Sequence, residues 1–316
     1  MGKVGGERNF GYGKQMAWAG KNALEDRYGD GHYGTQAAHG DRWQQFCDYA
    51  RDQEVRDVRQ VTEELVTAYG ESLKQQVEAS EMAVSYAQNL LSSVNVVLET
   101  MRGDTALRVS PSELVGERSS VRQEAPAGME RERLQQATTE LRDKGEDRVA
   151  LMAELARELG LRFREASLLD ARTALNQATE KGSVNITEGT KGGRGHIVDR
   201  WVPVSPTATD VLERAVEIQG QARNLIPEEN NYAQWRDHAY HSWSQVARDN
   251  DLKGFHDLRA AYACDRYEQL TGSPAPVISG ERLVDKEIDQ LARETISSEL
   301  GHGRIDVVSA YVGSAQ

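Results

Sequence analysis

From Thr35 onward the apolar residues of this chain recur at spacings of three and four, the period of an α-helix, and the pattern lapses in two places. In "TQAAHGDRWQQFCDYARD", Trp43, Phe46, Cys47 and Ala50 share one face. In "SYAQNLLSSVNVVLETMR", Leu90, Val94, Val97 and Met101 form one stripe. Between them Thr62 can cap a helix, with Glu63 and Glu64 in the first turn at the positive end of its dipole. The first lapse covers residues 103–127, where Pro111, Pro126 and the Ser/Gly content predict a linker with about one turn of helix. The second lies near residues 183–204. There "SVNIT" and "HIVDRWVPV", rich in Val, Ile, Thr and Trp, read as two strands around "EGTKGGRG".

The fold class that follows is mainly α with a small β-sheet, in four segments. These are an arm over residues 1–34, a helical domain over 35–105, a linker over 106–127 and an α+β domain over 128–316. The arm is rich in glycine and aromatics and predicts one short helix near residues 15–24. A chain of 316 residues can bury two cores. No stretch approaches the roughly 18 apolar residues that span a bilayer, and the N-terminus lacks the apolar run of a signal peptide. Cys47 and Cys264 lie far apart and form no CxxC pair, so a reducing, cytoplasmic setting is expected.

Several familiar chemistries fail on spacing. "EGTKGGRG" lacks the spacing of a phosphate-binding P-loop and does not run from strand into helix. His238 and His241 sit three apart, but no third ligand follows at metal spacing. No G-x-S-x-G occurs. One helix face, with Ser85, Gln88, Asn89, Ser92 and Asn95, is polar and uncharged, suited either to reading base edges in a DNA groove or to simple solvation. A net charge of −12 opposes a nucleic-acid partner if charge is read over the whole chain.

What remains is a scattered polar set in apolar surroundings. Arg162 and Glu165 lie in "GLRFREASLL", Lys191 in "GTKGGRG", His256 and Arg259 in "GFHDLRAAYA", His302 in "ELGHGR", and Tyr311 nine residues beyond. Each alone has an ordinary structural explanation. In this order they resemble the tyrosine recombinase (phage integrase) family, most of all integrases of bacterial prophages and integrative elements. The resemblance covers residues 128–316 by motif, and residues 35–105 more loosely as the family's helical core-binding domain.

The resemblance implies a two-domain clamp that cuts and rejoins double-stranded DNA at attachment sites, integrating or excising a mobile element. It implies a homotetramer on DNA, an accessory directionality factor in some cases, and a bacterial cytoplasmic, nucleoid-associated setting. A covalent 3′-phosphotyrosine on Tyr311 would conserve the energy of the broken bond. Arg162 and Arg259 would clamp the phosphate as a fork of guanidiniums, with no metal and no cofactor. Lys191 would protonate the leaving 5′-oxygen, with Arg194 nearby as a DNA contact and a poorer donor. His256 would be base or phosphate hydrogen-bonder, His302 a further donor, and Glu165 a support for the clamp. "ELGH" would start or precede a helix at the phosphate, and Tyr311 would sit near a mobile end. Two features depart from the family pattern: "AAYA" follows Arg259, and residues 271–290 read as an inserted loop and charged helix. Only five residues follow Tyr311, so subunit contacts are expected from residues 1–34 or from the insertion. Rival readings are a type IB topoisomerase-like relaxing enzyme, a silent DNA-binding protein of the same fold, and a helical scaffold.

Overall fold

A computed structural model describes residues 7–314. The chain divides into two compact units, residues 1–119 and 120–316. No helix among the described residues is long and apolar enough to cross a membrane.

The first unit is helical: α1 (Met16–Tyr28), α2 (Tyr33–Asp52), α3 (Glu63–Glu78), α4 (Val84–Arg102) and the short α5 (Pro111–Val115). The predicted stripes form its core, since Trp43, Phe46, Leu90, Val94, Val97 and Met101 are all fully buried. Thr62 caps α3 by accepting a bond from the Leu65 N–H at 3.3 Å. The segment read as an arm is part of this unit. The Trp43 indole N–H donates to Met16 O at 3.0 Å, and α1 approaches so closely that a Cβ on Gly20 would lie 2.1 Å from that nitrogen. Ahead of α1, the buried Asn9 adopts a left-handed conformation (φ 52°). Its backbone N–H donates to Asp57 (3.0 Å), and its side chain bonds Gly13 O (2.7 Å) and the Val58 N–H (2.8 Å). Residues 1–6 of the expected arm lie outside the described residues. The expected linker also begins too early, because Val109 and Val115 are buried and α5 packs on α3 and α4.

The second unit holds α6 (Arg131–Asp143), α7 (Asp147–Leu159), α8 (Phe163–Ser167) and α9 (Ala171–Lys181) before its sheet. Strands β1 (Ser183–Asn185) and β2 (Trp201–Pro203) pair antiparallel with Val184 opposite Val202. Then come α10 (Pro206–Gln219), α11 (Tyr232–Asp249), α12 (Phe255–Thr271), α13 (Pro276–Ser279), α14 (Lys286–Glu299) and α15 (Ser309–Val312). Helix α12 is central and packs against α7, α14 and α15. The sheet is shorter than its sequence predicts. The second strand, expected from His196, starts at Trp201, because Lys191–His196 coils into 3-10 turns with Gly192 and Gly193 at positive φ.

Candidate active site

The site is built where three chain reversals meet α12. Helix α7 ends at Gly160 in a left-handed cap (φ 60°), and a Cβ there would lie 2.5 Å from the Tyr262 ring. This reversal brings Arg162 to the start of α8, where its backbone N–H and its guanidinium both donate to Glu165, at 2.8 and 2.6 Å. It also turns Gly160 O toward Arg259 and Arg200, which both donate to it. The second reversal, Gly301 (φ 67°), follows α14 and sets His302 beside Arg259. "ELGH" thus closes one helix and precedes the turn carrying Tyr311. The third is α15 itself, which places the Tyr311 side chain in the core at 2% exposure.

Glu165 organises the charge. It is fully buried, with Arg162 at 2.6 Å, Arg200 at 2.8 Å and Arg259 at 3.5 Å. Burial pushes its carboxyl pKa up, but Arg200, Arg259 and Arg162 more than offset that and hold it below the usual value. The carboxylate therefore stays ionised and the cluster keeps an excess of positive charge. Burial pulls the Arg259 pKa down to about 10, which still leaves it charged at neutral pH. Its Nη2 donates to Leu300 O at 2.6 Å.

Arg259 Nε donates to the Tyr311 oxygen at 3.4 Å, and that oxygen lies 2.9 Å from His302 Nε2. Arg259 Nη2 is also 3.4 Å from His302 Nε2. A guanidinium only donates, so Nε2 is the unprotonated ring nitrogen and the phenol O–H donates to it. Burial, then Arg259, Arg162 and Arg200, push the His302 pKa down to about 3, so the ring is neutral. The His256 ring lies 5.3 Å from the Tyr311 ring. One side of it stays exposed; the packed side, with Arg259 and Arg162, keeps its pKa below the ordinary value.

The tyrosine segment is tied down on several sides. The Arg122 N–H donates to Ser309 O at 2.9 Å. Arg293 on α14, itself paired with Asp289, donates to Ser309 Oγ, Gly313 O and Ser314 O at 3.3, 3.1 and 3.0 Å. A Cβ on Gly313 would lie 2.7 Å from the backbone of Val277 on α13. The segment expected to be a mobile end is therefore pinned, and part of the region read as an insertion does the pinning.

Arg162, Glu165, His256, Arg259, His302 and Tyr311 thus converge. Lys191 and Arg194 stand on the glycine-rich loop and line a cavity of about 250 Å³ with Arg162, Arg200 and Arg304. Arg194 also donates to His302 O at 3.2 Å. Five cations face this cavity with two carboxylates, Asp199 and Glu294, which sets a local positive charge against the acidic total. Sequence reasoning missed Arg200, whose Nε donates to Glu299 O at 2.6 Å. Its signal was an arginine inside the apolar run "HIVDRWVPV".

The polar stripe of α4 is not a uniform reading face. Gln88 and Asn95 are buried and spent on backbone: Gln88 donates to Gly116 O (2.6 Å), and Asn95 exchanges bonds with Val109 (2.8 and 3.1 Å). They hold the segment after α4 in place, which removes them as DNA contacts. Ser85 is exposed, while Asn89 and Ser92 are half-buried. His238, which lacked partners for a metal, lies 2.9 Å from Glu146.

Residues 116–265 match the model of a protein family described as integrase. Over those residues the chain is similar to the integrase family. No curated protein matches it in sequence. Among solved structures it resembles a lambda integrase dimer bound to a COC′ core site, at 15% identity over 92% of this chain and 74% of that one, with a TM-score of 0.56. It also resembles the Tn1549 transposon integrase in complex with circular intermediate DNA, at 11% identity over 96% of this chain and 97% of that one, with a TM-score of 0.57. At these identities the likeness extends the tyrosine recombinase fold across both units. The family match ends before His302 and Tyr311, so only their contacts with Arg259 tie these two residues to the matched segment.

Proposed function

We propose that this protein cuts and rejoins double-stranded DNA at specific attachment sites through a 3′-phosphotyrosine on Tyr311, moving a mobile element into or out of a chromosome. The observation that carries this reading is the chain of contacts from Arg259 through the Tyr311 oxygen to neutral His302. The phenol oxygen attacks the phosphorus, forming the O–P bond as the bond to the 5′-oxygen breaks. His302, already the acceptor of the phenol proton, is better placed than His256 to receive it. Arg162 and Arg259 offset the charge on the non-bridging oxygens, and Lys191 gives the 5′-oxygen its proton. Strand joining is the reverse, with a 5′-hydroxyl from another duplex as nucleophile. Glu165 and Arg200 are positioning residues. Several protomers on two duplexes are needed for exchange, and a lambda integrase structure of similar fold is a tetramer bound to a Holliday junction.

The test is incubation with nicked duplexes carrying candidate attachment sites, followed by a denaturing gel. A protein–DNA adduct mapped to Tyr311 supports the reading. Adduct formation without joining of two duplexes, together with relaxation of supercoiled plasmid, would make the protein a relaxing enzyme instead. No adduct with any duplex would leave a silent DNA-binding protein.

A further inference from the structure

Ile197 is 85% exposed, the most exposed large apolar side chain among the described residues, and its neighbour Val198 is 47% exposed. They do not sit on a loose tip. The N–H groups of Ile197 and Val198 both donate to Arg194 O, at 3.0 and 2.9 Å. The Gly195 N–H donates to Thr190 Oγ1 at 2.8 Å and closes the loop across its base. Gly195 packs so tightly that a Cβ would lie 2.4 Å from Thr187 O. The loop is built to hold two aliphatic side chains in water, against the ordinary preference for burying them.

The surroundings say what covers them. Val198 lines the same cavity as Arg162, Lys191 and Arg194, so Ile197, its chain neighbour, stands next to a residue of that cationic cavity. Lys191 and Arg194 come from the same short loop. An apolar protein partner would leave those cations unpaired, whereas an anionic polymer with an apolar interior satisfies both. Duplex DNA is such a polymer: phosphates outside and stacked bases within, open to an aliphatic side chain at the minor-groove edge of a base step.

We propose that Ile197, supported by Val198, is a wedge that enters the minor groove beside the cleaved phosphate and opens the adjoining base step, so that Lys191 reaches the 5′-oxygen. This rests on the recombinase reading of the site. The wedge is a positioning element and takes no part in proton transfer. Because Ile197 is exposed, replacing it leaves the fold intact.

The experiment uses the full chain and a duplex recovered from a random pool by covalent capture on the wild-type protein. 2-Aminopurine is placed at the base pairs flanking the cleaved phosphate, and binding is followed in a Tyr311→Phe background. The fluorescence should rise on binding and fail to rise with Ile197→Ser added. In the active protein, Ile197→Ser should slow adduct formation at least roughly tenfold, because opening a stacked step is costly without the wedge. A mismatch at that step should return most of the rate, and Ile197→Leu should behave as wild type. Unchanged fluorescence and rate in Ile197→Ser, or a loss the mismatch does not relieve, would overturn the wedge while the Tyr311 adduct still stands. A wild-type protein that captures no duplex would overturn the recombinase reading and the wedge with it.

Discussion

The two halves of this site are made in opposite ways. Around Tyr311 the polar groups are tied to one another and to the backbone: Glu165 to three arginines, Arg259 to two backbone carbonyls, and the tyrosine segment to Arg122 and Arg293. The Lys191 loop is exposed, turned by Gly192 and Gly193, and shows water an isoleucine and a lysine. Charge stabilisation needs dipoles fixed before the reaction, since a donor that must reorganise loses much of its value. Proton delivery to a leaving group depends on reach and can be supplied by a side chain that moves with the DNA. The comparison teaches that substitutions in the first half should disturb fold and chemistry together, and those in the second half chemistry alone.

The harshest way to break it is Tyr311→Phe. Covalent adduct should vanish entirely, with DNA binding retained, because only the phenolic oxygen is lost. A lost buried hydrogen bond leaves His302 without its donor and should cost about 1–3 kcal/mol of stability, read from urea unfolding. An adduct persisting on Tyr262 or Tyr267 would overturn the assignment, although both hydroxyls are engaged, with Glu299 and Asp289.

Next is Lys191→Ala. Cleavage should slow by roughly 10²–10⁴-fold, the usual value of a general acid, with the urea midpoint unchanged. A substrate with sulfur at the 5′-bridging position needs no proton and should recover most of the rate. Equal impairment on both substrates would pass the role to Arg194, which shares the cavity.

Glu165→Gln sharpens the other side. It keeps the shape but removes the one carboxylate among Arg162, Arg200 and Arg259. Breaking a buried ion pair from one side typically costs about 3–5 kcal/mol. The urea midpoint should fall by a corresponding amount, and adduct formation with it. A large activity loss without a stability loss would mean that Glu165 acts on DNA directly.

The same division explains what could be read from sequence. Long helices declare themselves, because Leu90, Val94, Val97 and Met101 repeat at the period of the burial they satisfy. The residue types at the site were visible too, since arginine, histidine and tyrosine in apolar settings need a reason. Pairing was not visible. Arg200 lies 35 residues from Glu165, and only the β1–β2 sheet brings them together. The α4 stripe misled because period gives a face but not its neighbour, and Gln88 and Asn95 face the chain's own residues 109–116. The glycine-rich start misled because composition hid Asn9 and the Gly20–Trp43 contact, which bind it to the first unit.

The smallest expected effect is on pH. His302 has its pKa lowered in the folded protein, to about 3, while in the unfolded chain it returns to an ordinary value near 6.5. Between these values the unfolded state binds the proton and the folded state does not, so stability falls as pH is lowered through that window and is unaffected above it. His256, also shifted down, adds in the same direction. His302→Gln removes one of these protons. Its urea midpoint should therefore drop less than that of the wild type between pH 7 and pH 4.5, while Lys191→Ala should track the wild type. Parallel curves for His302→Gln and wild type would show that the His302 ring is not held neutral by its burial and the arginines, and would return the base role to His256.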